Sequence, residues 1–141
     1  MRSMGICALW VLACLVTQLA SAQDGATNEW LALNHEALVL YQEGKYDAGL
    51  AMAKQALAFA EKTYGPNHAN VANNLNAVAE FYRAQGQYAQ AEQLNRRALG
   101  ILDKAQGADK LAASESLNGL AELARLQGQY AQAEPLYKRA L

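Results

Sequence analysis

Catalysis needs a nucleophile or an acid–base pair held together, or a metal whose ligands recur at a suitable spacing. The two histidines, His35 and His68, stand 33 residues apart with no acidic motif beside them. That separation fits no zinc-binding pattern, and both read as surface histidines with no role. Ser114 and Ser116 flank Glu115 at what reads as a helix start, where hydroxyls cap free backbone amides rather than attack a carbonyl. The glycines at 86 and 128 are single helix stops and form no phosphate-cradling loop. The sequence therefore predicts no enzyme, no metal and no cofactor. Recognition through hydrogen bonds and charge is the chemistry left to look for.

The amino-terminal residues are set apart from the folding argument. Arg2 supplies one positive charge, "MGICALWVLACLV" (4–16) an uncharged apolar run, and Ala20-Ser21-Ala22 a small-x-small site. That order predicts a signal peptide over residues 1–22, cut after Ala22, and a secreted or periplasmic protein. The apolar run is shorter than the roughly 20 residues a bilayer span needs. A lipoprotein cut before Cys14 fits less well, because Leu12 stands where a small residue is usual. Residues 23–141 then carry no cysteine, 11 basic and 13 acidic residues. Stability must come from apolar burial without disulfides, and the charge gives no reason to expect nucleic acid or an anionic membrane.

What dominates the chain is repetition. "RAQGQYAQAEQLNRRAL" (83–99) and "RLQGQYAQAEPLYKRAL" (125–141) differ at 4 of 17 positions and lie 42 residues apart. The same shift aligns Gly44, Gly86 and Gly128; Leu33, Leu75 and Leu117; Asn34, Asn76 and Asn118; and Ala37, Ala79 and Ala121. Each unit reads as two helices. Leu75, Val78, Ala79 and Tyr82 recur at helical spacing before Gly86, and Ala91, Leu94, Ala98, Ile101 and Leu102 form the next stripe. A turn as short as Gly86-Gln87 makes the pair an antiparallel hairpin. Small residues at 79, 91 and 98 let helix axes approach to about 8 Å, and neighbouring hairpins must stack to bury their apolar faces. The expected fold is all-α, with repeats over about 31–72, 73–114 and 115–141, the last incomplete. Gly49 in the small-residue column and Glu36 in an apolar one make the first repeat looser.

"NLNAVAEFYRAQGQYAQAEQLNRRAL" (74–99), "SLNGLAELARLQGQYAQAEPLYKRAL" (116–141) and the loop "YGPNHANVA" (64–72) resemble tetratricopeptide repeats of the kinesin-light-chain type. The resemblance covers about 31–141. It implies a short right-handed superhelix that binds a peptide or protein segment in its concave groove. The helix-B aromatic of that pattern stands at Tyr137, but Ala53 and Asn95 occupy its place in the earlier repeats.

On that implied groove face the first helix of each hairpin offers Asn34, Asn76 and Asn118, with Glu80, Arg83, Glu122, Arg125 and Tyr41 beside them. An asparagine both donates and accepts, so the column could hold the backbone of an extended peptide. It could equally bond helix to helix. Arg83 and Arg125 could select acidic side chains through their forked donors, or simply pair with Glu80 and Glu122 three residues earlier on the same helix. The glutamines around the hairpin turns read as solvated surface, and Pro135 as a mark of the last helix's start. At the carboxyl end Leu136, Ala140 and Leu141 would be left partly uncovered. The chain is expected to be a piece of a longer array or the repeat part of a longer sensor or enzyme, or else a partner, such as a second copy in self-association, covers that end.

Overall fold

In the computed structural model, residues 25–104 and 110–141 are described. The predicted signal peptide, its cut site and both cysteines lie outside them, as does Gly107. Contacts divide the chain after Ala32. Of the first unit, residues 25–32 are described and are helical. The second unit, residues 33–141, holds the repeats.

Six helices follow one another, with no strand among the described residues. They are α1 over residues 25–42, α2 Tyr46–Tyr64, α3 Ala69–Ala84, α4 Tyr88–Lys104, α5 Lys110–Leu126 and α6 Tyr130–Ala140. α3 packs on α4 and α5 on α6 as hairpins, α2 meets α3 and α4 meets α5 between hairpins, and α3 also touches α5.

The hairpin turns are one structure made three times. Gly44, Gly86 and Gly128 all have φ between 72° and 75°, a left-handed backbone that glycine adopts without the cost a side chain brings. At Gly86 the glycine amide donates to Arg83 O at 3.0 Å and the Gln87 amide to Tyr82 O at 2.8 Å. The same two bonds recur at Gly44–Lys45 and Gly128–Gln129, satisfying carbonyls that each helix end would otherwise leave without partners.

The small-residue columns lie where the helices close on one another. Ala79, Ala91, Ala98 and Ala121 are at most 1% exposed, and Ala79 and Ala91 share a core cluster with Leu123. Gly49, out of place in its column, has a physical reason. A Cβ there would stand 2.7 Å from Cζ of Phe81, so the bulkier α3 ring occupies the space that alanine fills in later repeats. Phe81 in turn meets Tyr41 edge-on at 5.3 Å.

Three local expectations are corrected. His68 lies at the surface but caps α3: its Nδ1 accepts from the Asn70 amide at 3.1 Å and its ring stacks on Tyr64. Ser114 and Ser116 do not cap α5, because the helix formers from Lys110 to Ala113 are already helical ahead of them. Pro135 lies inside α6, whose first residue is Tyr130.

Candidate functional site

The face formed by α1, α3 and α5 carries two adjoining cavities. One, of about 230 Å³, is mainly apolar and is lined by Asn34, Ala37, Leu38, Tyr41, Ala77, Glu80 and Phe81. The other, of about 460 Å³, takes in Asn76, Glu80, Arg83, Asn118 and Glu122 together with Asn73, Asn95, Glu115 and Gly119. Ala77 and Glu80 border both. Seven of the eight residues expected on the groove line one cavity or the other, and Arg125 lines neither.

Within that face the asparagine column is put to structural use. Asn34 Oδ1 accepts from Asn74 Nδ2 at 2.6 Å. Asn76 is 6% exposed, donates from Nδ2 to Ala112 O at 3.1 Å, and accepts from the Ser116 hydroxyl at 2.8 Å. Of the two readings of the column, Asn76 takes the helix-to-helix one, because α5 covers it. Asn118 differs: it is exposed and makes no hydrogen bond among the described residues.

The arginines are engaged by their own helices. Arg83 donates to Glu80 through Nε at 3.1 Å and Nη2 at 2.5 Å. Arg125 holds both oxygens of Glu122, at 2.9 and 2.5 Å. Hydrogen bonding to these carboxylates raises both guanidinium pKa values. Glu122 falls to about 2, first through Arg125 and then through the Tyr137 hydroxyl, which donates to it at 2.8 Å. That bond holds the Tyr137 proton and raises its pKa. A ligand carboxylate would have to displace one already seated in either fork.

Two cavity residues are absent from the sequence expectation for the site. Asn95, on α4, is 3% exposed and makes no hydrogen bond among the described residues. Its amide crosses the place where a side chain on Gly119 would stand, with Cγ 3.0 Å from that Cβ position. Asn73, on α3, has a buried Oδ1 with no hydrogen-bond partner. The signal in the sequence was a polar Asn95 in a column where Tyr137 is aromatic, together with Gly119 in a column where His35 and Ala77 have side chains. Among the described residues no group of three His, Cys, Asp or Glu could hold a metal ion. No described helix is long and apolar enough to cross a membrane.

The tetratricopeptide repeat sequence profile matches residues 30–104 and, overlapping, 71–141. The chain belongs to the tetratricopeptide repeat family. Its fold matches that of BtubC (BKLC) from P. vanneervenii, with TM-score 0.72 and 23% identity over 79% of this chain and 44% of that one. It also matches the nearly identical TPR-like repeats of a kinesin light chain candidate from Podosopora anserina, with TM-score 0.67 and 22% identity over 77% and 52% of the two chains. This tetratricopeptide repeat chain spans about half the length of those structures. No significant match is found among curated proteins. Tetratricopeptide repeats generally mediate protein–protein interaction and are typically not enzymes.

Proposed function

We propose that this chain binds a peptide or protein segment in extended conformation along the α1–α3–α5 face. The observation that carries the reading is the pair of cavities meeting at Ala77 and Glu80, one apolar and one lined by asparagine amides. Leu38 is 54% exposed at the apolar end, and Asn118 offers an uncommitted amide at the other. An apolar side chain seated in the first and backbone groups paired in the second would fix a peptide's position and register. The order of residues 1–22 supports secretion or a periplasmic location for this interaction.

The test is selection of displayed random peptides on the full chain, followed by substitution. Leu38→Asp and Asn118→Ala should each weaken the selected peptides, Asn118→Ala by about 0.5–1.5 kcal/mol. Arg96→Ala, at an exposed α4 residue that lines neither cavity and pairs with Glu92, should leave them unchanged. Binding lost only with Arg96→Ala would refute the groove.

A further inference from the structure

Glu80 stands where the two cavities meet and lines both. It is half-buried, and Arg83 holds only one of its oxygens: Nε and Nη2 both donate to Oε2. Glu80 Oε1 accepts no hydrogen bond among the described residues. Glu122 differs, because Arg125 and the Tyr137 hydroxyl between them take both of its oxygens. One carboxylate oxygen is thus left open at the edge of an apolar cavity. The charge around it is one-sided. Glu80, Glu115 and Glu122 line the larger cavity, against Arg83 alone among its lining residues. Arg125, which holds Glu122 from outside that wall, still leaves the group with a net negative charge.

We infer that the bound segment carries a lysine or arginine two residues from its apolar anchor, with the cationic head on Glu80 Oε1. The inference rests on the proposed groove and names the side chain read where its two halves join. In an extended chain, residues two apart point the same way and lie about 7 Å from each other. Leu38 and Glu80 line the same cavity, so an anchor beside Leu38 brings the next side chain on that face to the carboxylate. A long basic side chain suits the place, since its methylene stem covers apolar wall while its head stays polar. Its bond to the carboxylate is charge-assisted and about twice as strong as a neutral one. A ligand carboxylate finds both arginine forks occupied and three carboxylates of its own sign in the wall. A carboxamide gains the hydrogen bond without the charge.

The probes are acetyl-Ala-Xaa-Ala-Leu-Ala-Xaa-Ala-N-methylamide peptides with Lys, Arg, Gln or Glu at both Xaa positions, so either chain direction brings one to Glu80. They are titrated into the full chain by NMR at about 150 mM salt, where distant charges are screened. The Lys and Arg peptides should bind about fivefold or more tightly than the Gln and Glu peptides. Glu80→Gln keeps the side chain's shape and gives up only an i,i+3 pair of small worth, so the fold should persist. In that variant the preference should shrink to about twofold or less. Glu92→Gln removes the same charge from an α4 residue that lines neither cavity, and should leave the preference whole. Equal affinities, a preference for Glu, or a preference that survives Glu80→Gln would overturn the site, as would equal loss in Glu92→Gln. If the four peptides bind equally with shifts around the two cavities, the groove stands and only the cation reading falls. If none binds, the display-selected peptides decide: lysine or arginine two residues from an apolar one supports the site, and its absence overturns it. If display selection also returns nothing, both fall.

Discussion

Ser116 donates its hydroxyl to the side-chain oxygen of Asn76 at 2.8 Å, joining α5 to α3. One repeat earlier, Asn74 donates to Asn34 at 2.6 Å. Positions 74 and 116 are 42 apart, as are 34 and 76, so this is one contact repeated between successive first helices. The outer helices show a parallel case: Arg97 reaches Glu61 at 2.7 Å, and 42 residues on Arg139 reaches Asp103 at 3.1 Å. The repetition thus copies contacts between hairpins as well as within them. The inner contact is buried at Ser116–Asn76 and part-buried at Asn74–Asn34; the outer pairs are exposed and worth little.

The buried asparagine should therefore matter for folding and the exposed one should not. Asn76→Ala removes its bonds to Ala112 and Ser116 and is expected to cost about 1–3 kcal/mol in denaturant unfolding. Asn118→Ala should stay within about 0.5 kcal/mol, as surface changes do. Equal losses at the two sites would contradict the division of the column.

Two glycines should respond to alanine with opposite signs. Gly100, exposed on α4, has nothing within 4 Å of a Cβ, so Gly100→Ala should stabilise by about 0.5–1 kcal/mol through helix propensity. Gly49→Ala would drive a methyl into the Phe81 ring and should cost about 1–3 kcal/mol as overpacking. Thermal melts of both variants, and of Gly49→Ala with Phe81→Leu, decide this. A Gly49→Ala chain as stable as Gly100→Ala would refute the Phe81 contact.

Glu122 should titrate far below an ordinary carboxylate. Its pKa in the folded chain is about 2 against an ordinary 4.5, set by Arg125 and Tyr137. Because the folded value is the lower one, the stabilisation is present above about pH 4.5 and is lost as pH falls toward 2. The side chain's exposure keeps the amount small. Carbon-13 NMR of the Glu122 carboxyl should show the low midpoint, and Tyr137→Phe should move it up. A midpoint near 4.5 in the unaltered chain would contradict the arrangement.

The helices, their pairing and the faces they bury follow from a 42-residue register that is plain in the residues. The alanine columns and the glycine turns admit little else. The division of labour within the asparagine column was not legible. Asn34, Asn76 and Asn118 occupy equivalent positions, and only the packing of α3 and α5 decides which amides are covered and bonded. Asn95 is hidden in the sequence for a related reason. It belongs to a second helix of a hairpin, and reaches the groove only because Gly119 on a different hairpin leaves it room.

The most direct test of the account is to map a display-selected peptide on the full, isotope-labelled chain by backbone and side-chain NMR. Chemical-shift changes should fall on Asn34, Leu38, Tyr41, Ala77, Glu80, Asn95 and Asn118, around the two joined cavities. Changes confined to the outer surfaces of α2, α4 and α6, with those residues unmoved, would contradict it.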